Sequence, residues 1–329
     1  MAYELERRTA IEAVVKACHL CTRVQNNLID EQSMAKKDKS PVTVADFGAQ
    51  AVVTRYLHAA FPNDPLVGEE DAGELRDPEN AQLRQLMVDA VGEVIPGLGE
   101  EQVLSLLDRG AHEGGATGRH WTLDPIDGTK GFLRKDQYAV ALALIENGKV
   151  VLGVLGCPNL PHDSTHPDGP RGCIFIAVRG EGAVMRTIDD PTEHPIGVSP
   201  IGDPSQARIC ESVESAHSSQ SDSAKVAELL GVNVEPFRID SQCKYAAVAR
   251  ADASIYLRLP TKKGYEEKIW DHAAGAIVIE EAGGTVTDIH GKPLDFSIGR
   301  TLRDNTGVIV TNGKIHEPVL KAVQQVLGV

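Results

Sequence analysis

Apolar positions recur at helical spacing from residue 3 to 29, so the chain opens on one long helix. After a polar gap, Ser40-Pro-Val-Thr-Val-Ala-Asp46 reads as a short extended segment: Pro41 withholds a donor, and Val42 and Val44 alternate. The helical period returns from 47 to 61, with Val52, Val53, Tyr56, Leu57 and Ala60 on one face, and Pro62-Asn-Asp-Pro65 stops it. Leu66-Val67 leads into Gly68-Glu69-Glu70-Asp71, three acids at the mouth of an apolar step. A helical, acidic stretch to about 108 and a hairpin-type glycine turn at 113–118 precede a strand at 120–123. Segments 138–146, 150–156 and 174–178 read as sheet strands, the first two joined by Asn147-Gly148, a strong hairpin signal.

A proline-rich, irregular stretch at 191–204 places a domain boundary near residue 199. Beyond it strands (207–211, 235–239, 253–259) alternate with helices (219–230, 245–250, 271–282), and Gly283-Gly284 closes the last of these. Residues 1–199 therefore read as an α+β domain and 200–329 as an α/β domain.

Composition narrows the function classes. A chain of 329 residues with 42% apolar and 24% charged side chains supports a sizeable core. No apolar run approaches the ~18 residues of a membrane span. The start, M-A-Y-E-L-E-R-R-T-A, lacks the apolar core of a secretory signal and is too acidic for a transit peptide. The expected compartment is the cytoplasm, or a chloroplast or mitochondrion if a leader has been removed. A net charge of −14, with no basic run longer than Lys36-Lys37, argues against a nucleic-acid partner. Small anions stay open as ligands, because divalent cations can invert the local field of an acidic protein. The expected assembly is a monomer or weak homodimer.

Six cysteines without a signal peptide read as reduced thiols. Cys18 and Cys21 share an apolar helical stripe with Val14 and Val24, which assigns them to a core. Cys157 and Cys173 bracket a Pro/Asp/Gly-rich loop and are the candidate redox pair, although spacing alone shows no geometry. His162, His166 and Asp168 in that loop read as solvent-exposed.

The densest chemistry lies in W-T-L-D-P-I-D-G-T-K-G-F, where Asp124 and Asp127 fall between a strand and a helix start. Pro125 fixes the backbone, Gly128 admits close approach, and the amides of Gly128 and Thr129 offer a phosphate seat. One aspartate would suffice to cap a helix. Two beside a phosphate seat suit Mg²⁺, which takes oxygen ligands. Glu69-Glu70, Asp46 and Asp271 are three further acidic elements at the ends of predicted elements, each with a plainer reading as a solvated loop or helix cap.

L-D-P-I-D-G-T, with G-E-E upstream and W-D-H-A-A-G…E-A-G-G downstream, resembles the lithium-sensitive, magnesium-dependent phosphatases of the inositol monophosphatase superfamily. S-P-V-T-V-A-D, D-P-I-D-G-T-K-G-F-L-R, G-C-P-N-L, D-S-Q-C-K-Y and Y-L-R-L-P…Y-E-E-K-I-W-D-H are most similar to its 3′(2′),5′-bisphosphate nucleotidase branch, especially plant and fungal members. These motifs span residues 40 to 272, and looser similarity reaches both ends. The resemblance implies a layered αβαβα sandwich and two or three Mg²⁺ ions held by Glu69, Asp124, the Ile126 carbonyl, Asp127 and Asp271. Glu70 would stand behind them or hold a third ion. Thr129 and Asp46 would orient and deprotonate the attacking water. Gly128, Thr129, His217, Ser218, Ser241, Lys244 and Arg258 would contact substrate, with the last two suited to a second phosphate.

The implied reaction removes the 3′-phosphate of 3′-phosphoadenosine 5′-phosphate, or of its sulfated analogue, by in-line displacement. An inositol polyphosphate 1-phosphatase and a non-catalytic nucleotide sensor are the alternatives. Lithium inhibition and thiol sensitivity at Cys157 and Cys173 are further implications of the resemblance.

Overall fold

The first two helices, α1 (Glu4–Leu28) and α2 (Ser40–Ala60), pack on each other in this computed structural model, which describes residues 2–28, 40–213, 219–262 and 264–329. Ala13, Ala17 and Cys21 of one and Ala45, Ala49 and Val52 of the other are buried in a single cluster. The expected extended segment at 40–46 is instead the first turns of α2. Proline is tolerated there because donors of a first helical turn have no intrahelical partner to lose. Val42 and Val44 both pack in the core although they point about 200° apart around the helix, because this start of α2 is buried on nearly every side. Asp46 therefore projects from a helix.

Strand β1 (Leu66–Gly68) follows, then α3 (Ala81–Val94), α4 (Glu100–Asp108) and β2 (Arg119–Asp127). The glycine turn at 113–118 carries α4 into β2 and closes no hairpin, since β1 and β2 pair in parallel. After the short helix α5 (Thr129–Leu133), strands β3 (Ala139–Glu146), β4 (Lys149–Pro161), β5 (Arg171–Val178), β6 (Gly182–Thr187) and β7 (His194–Pro195) meander antiparallel, completing a seven-stranded sheet in sequence order. Asn147 and Gly148 both take positive φ, as the two-residue β3–β4 turn requires.

The second half supplies β8 (Ile209–Glu211), α6 (Gln220–Leu230), β9 (Phe237–Arg238), α7 (Cys243–Ala249), β10 (Ile255–Arg258), α8 (Ala273–Glu281), β11 (Thr285–Thr287), β12 (Val308–Thr311) and α9 (His316–Leu327). Its five-stranded sheet runs β11-β12-β10-β8-β9, with β10, β8 and β9 parallel. The layers alternate as expected. Helices α1 to α4 cover one face of the large sheet, α7 and α8 fill the space between the sheets, and α6 and α9 cover the far face of the small one.

Strand β3 shows how the middle layer is accommodated. Val140, Leu142 and Leu144 point to the α1–α4 side, while Ala139, Ala141 and Ala143 point to α7 and α8. Small residues on that face let helix backbones come close. Among the described residues no helix is long and apolar enough to cross a membrane.

Close packing at this layer is testable at Gly153 of β4. A Cβ there would lie 2.4 Å from Ile277 Cγ2 and 2.9 Å from the Ala274 carbonyl oxygen of α8. Gly153→Ala is expected to cost about 1–3 kcal/mol by overpacking. The readout is a lower denaturant midpoint at constant m-value, and an unchanged midpoint would show that α8 can retreat freely.

Candidate active site

Parallel pairing of β1 with β2 sets Gly68 beside Leu123, so the next residues, Glu69 just past β1 and Asp124 within β2, come side by side. The Glu69 amide reaches back to the Leu123 carbonyl at 3.3 Å. Asp124 and Asp127 are three apart and would face opposite sides of a regular strand. Between them β2 bulges: Asp124 lies opposite Ala141 and Asp127 opposite Ala139, one residue more on β2 than on β3. The bulge turns both carboxylates toward Glu69 and Asp271, while the Ile126 side chain packs into the core.

Asp46 approaches from α2. Gln50, one turn further along, grips the Glu70 backbone from both sides: its Nε2 donates to the Glu70 carbonyl at 2.5 Å and its Oε1 accepts from the Glu70 amide at 3.1 Å. Asp271 arrives on the turn before α8 and is tied across to Asp127 by Gln242. The Gln242 amide donates to Asp127 Oδ2 at 2.6 Å, and its side chain donates to the Trp270 carbonyl at 2.9 Å and accepts from the Gly275 amide at 3.1 Å. Arg300 is a third tie. It donates to the Gly68 carbonyl at 2.6 Å and stacks 4.9 Å from the Trp270 ring, joining the segments that carry Glu69 and Asp271.

The electrostatic consequence is uniform. Burial, together with Glu69, Asp127, Asp271 and Asp46, holds the Asp124 carboxyl well above its ordinary range. Burial and the charges of Glu70 and Glu69 do the same to Asp46. Glu69 is pushed up to about 8 by the protein around it and by Asp271 and Glu70, although its exposed side chain lets solvent moderate the first cause. Asp271 rises to about 6 through burial, against the opposing pull of Arg258 and His272. Asp124 Oδ1 is buried without a hydrogen-bond partner among the described residues. A set of oxygen donors, crowded enough to resist ionisation and with one oxygen unpartnered, fits a hard divalent cation.

A cavity opens beside these acids, lined among others by Asp127, Gly128, Thr129, Lys244, Arg258 and Asp271. Gly128 takes φ 91° and a Cβ there would come within 2.9 Å of Ser241 Cβ, so glycine is required twice over. Ser241 itself sits at φ 64°, and its hydroxyl accepts the Cys243 amide at 3.2 Å. Thr129 is the exposed first residue of α5. Lys244 is buried with its ammonium 5.2 Å from the Tyr256 ring centre; burial holds its pKa below the ordinary lysine value despite the attraction of Asp127.

The expected residues thus gather in one place, with two exceptions. His217 and Ser218 lie outside the described residues. Cys157 and Cys173 are directly opposed across β4 and β5, both as free buried thiols. Burial raises both, Cys173 to about 11, which keeps them protonated at neutral pH. In the neighbouring loop His166 and Asp168 are exposed, and His166 Nδ1 lies 2.9 Å from Asp163. Sequence reasoning missed Gln50, Gln242 and Arg300, which hold the acids without being acids.

The raised carboxyls carry a pH signature. The folded chain keeps a proton on Glu69 up to about pH 8 and on Asp271 up to about pH 6, protons that the unfolded chain has released above 4.5 and 3.8. Stability from these groups is full below their ordinary values, 4.5 and 3.8, and is lost as pH rises toward the folded ones. In chelator the thermal midpoint should fall from pH 5 to pH 8, and excess divalent cation should shrink that fall. A flat midpoint in chelator would show that the acids do not confront one another.

Residues 1–327 match the inositol monophosphatase family. A 3′(2′),5′-bisphosphate nucleotidase of Schizosaccharomyces pombe is 48% identical over 343 residues, covering 99% of this chain and 97% of that protein. An Arabidopsis thaliana protein described as 3′(2′),5′-bisphosphate nucleotidase 1 is also 48% identical, covering 98% and 97%. Among solved structures, an inositol monophosphatase from Zymomonas mobilis superposes with a TM-score of 0.63 at 19% identity, covering 98% of this chain and 99% of that one. CysQ from Bacteroides thetaiotaomicron gives 0.62 at 22%, covering 94% and 98%. On its sequence over nearly its whole length and on its fold, the chain belongs to the inositol monophosphatase family.

Proposed function

We propose that this protein is a 3′(2′),5′-bisphosphate nucleotidase that hydrolyses the 3′-phosphate of 3′-phosphoadenosine 5′-phosphate, and of its 5′-phosphosulfate analogue, to the 5′-nucleotide and inorganic phosphate. The observation that carries the reading is a cavity whose lining combines Asp127 and Asp271 of the acidic cluster with the cations Lys244 and Arg258. A monoester substrate needs only the acids and the ions they would hold. Cations in the same cavity suit a substrate with a second anionic group that is held and not cleaved. The naming of the yeast and plant relatives, near half identical over their full length, supports the same activity.

Two or three Mg²⁺ bound by Glu69, Asp124, the Ile126 carbonyl, Asp127 and Asp271, with Glu70 behind them, would neutralise phosphate charge and acidify water. The chain's own residues do the rest. Gly128 lets the phosphoryl group approach the backbone, and Thr129 orients the attacking water through its hydroxyl. Asp46, whose buried carboxyl holds a proton more readily than an ordinary aspartate, accepts the proton relayed by Thr129. The water oxygen bonds to phosphorus, the ester P–O bond breaks in line, and the 3′-oxygen leaves to take up a proton. Ser241, Lys244 and Arg258, with His217 and Ser218 as further substrate contacts, fix the nucleotide so that only the 3′ position reaches the acids.

The expected result of a phosphate-release panel is faster turnover of 3′-phosphoadenosine 5′-phosphate than of inositol 1,4-bisphosphate. The reverse order would assign the inositol substrate, and binding without release would make the protein a sensor. Asp127→Asn should lower kcat by at least about 10²-fold at an unchanged thermal midpoint, the loss expected when a positioned charge-stabilising group is removed. Lys244→Ala should act mainly on KM, by about 10–100-fold, the worth of a charged hydrogen bond. Full activity in Asp127→Asn would remove the acidic cluster from the mechanism.

A further inference from the structure

A buried relay of Tyr245, His272 and Glu267, three side chains that the proposed mechanism does not use, runs from the core to Arg258 at the substrate cavity. Arg258, at the end of β10, brings Nη2 to 2.7 Å from Glu267 Oε2 and 3.4 Å from Asp271 Oδ2. Glu267 Oε2 lies 3.2 Å from His272 Nε2, and His272 Nδ1 lies 2.7 Å from the Tyr245 hydroxyl. Tyr245, Glu267 and His272 are all buried, His272 completely. The Tyr245 ring meets the Tyr256 ring edge-on at 5.3 Å and leaves no room for a side chain at Gly275, where a Cβ would come within 2.4 Å. The far end of the relay is therefore fixed by packing on α7, β10 and α8.

Glu267, Asp271 and His272 offer ligand atoms within 4.8 Å of one another, a spacing that a metal ion could use. The contacts argue against that use. Both ring nitrogens of His272 are engaged, one with Tyr245 and one with Glu267. The place between Glu267 and Asp271 is taken by a guanidinium. Arginine stays charged at any working pH, so the cluster serves as a holder for Arg258.

Arg258 touches both carboxylates, and the balance between them has consequences. Moving wholly onto Asp271 would set the guanidinium over one of the acids assigned to cation binding and withdraw it from substrate. Glu267 is the nearer partner, and its position is set by His272 and Tyr245 behind it. We infer that Glu267, backed by His272 and Tyr245, is a positioning residue that anchors the shared guanidinium of Arg258 and keeps it aimed at the non-cleaved phosphate. The relay thereby sets the preference for a bisphosphate over a monophosphate nucleotide. The inference rests on the bisphosphate reading of the cavity.

The test compares wild type, Glu267→Gln and Tyr245→Phe on 3′-phosphoadenosine 5′-phosphate and on 3′-AMP, which lacks the second phosphate. Glutamine keeps the shape of Glu267 and removes its charge; phenylalanine removes only the hydroxyl that holds His272. Glu267→Gln should raise KM for the bisphosphate about tenfold, with a smaller change in kcat. The ratio of kcat/KM for bisphosphate over 3′-AMP should fall by a similar factor. Tyr245→Phe should shift the ratio in the same direction by a few-fold at a wild-type thermal midpoint. Binding of 5′-AMP in chelator, followed by calorimetry, should weaken about tenfold in Glu267→Gln. Equal losses on both substrates, or an unchanged ratio in both variants, would overturn the inference. A wild-type protein that releases no phosphate from the bisphosphate would instead defeat the proposed function, and the 5′-AMP arm would still read the hold of Glu267 on Arg258.

Discussion

Mutual repulsion among Asp46, Glu69, Asp124, Asp127 and Asp271 is the constraint that the rest of the architecture answers. Two unit charges about 4 Å apart repel by about 4 kcal/mol at an effective dielectric constant near 20, so side chains free to move would separate. Here they belong to backbone that cannot leave. Asp124 and Asp127 lie on an interior strand of a seven-stranded sheet, Glu69 just past the end of the strand beside it, and Asp46 on a helix packed over that sheet. Asp271 stands at the entrance of a helix buried from Ala273 to Ile279. Burial first, and then the charges of neighbouring acids, raise four of these carboxyls above their ordinary range. A cation relieves the repulsion, which is why rigid scaffolding and cation affinity are one property here.

Neutral and cationic ties carry the strain between elements. Gln50 holds the Glu70 backbone to α2, Gln242 holds Asp127 to the turn before α8, and Arg300 joins the ends of β1 and that same turn. Each joins segments far apart in sequence; Arg300 and Gly68 are 232 positions apart. Glutamine suits this task because its amide donates and accepts without adding charge to a site that already has too much. The packing beneath has the same purpose. Alanines on the inner face of β3, with Gly153, bring α8 close to the large sheet, and Gly275 seats α8 against Tyr245 of α7, so Asp271 reaches acids carried by the other half of the chain.

Much of this was legible in the residues, for identifiable reasons. Asp-Pro-Ile-Asp-Gly-Thr announces itself because two acids and two turn-formers follow an apolar run, and the structure places it at a bulged strand end. Asn147-Gly148 marks its hairpin because few other dipeptides accept two positive φ values. Asp46 was harder. Pro41 and two alternating valines imitate a strand, and only the packing shows a helix so deeply buried that apolar residues stand on opposite sides of it. Gln50, Gln242 and Arg300 carry no local signal, since glutamine and arginine are common on any surface and their roles exist only across chain-distant contacts. Glu267 and His272 sat inside a motif recognised by resemblance, yet their partners on α7 and β10 could not be read from it.

How an acidic protein of net charge −14 would hold the polyanion proposed above turns on Lys244 and Arg258, two of the cations that line the cavity. Arg258 is paired with Glu267 and Asp271, so it would contribute direction more than net positive field. Lys244 is different. It is buried against an aromatic face, and burial weighs against its charged form while Asp127 favours it. A phosphate placed beside it would offset lost hydration and favour the ammonium further. Any electrostatic inversion here is therefore local, set by individual side chains against the charge of the chain as a whole.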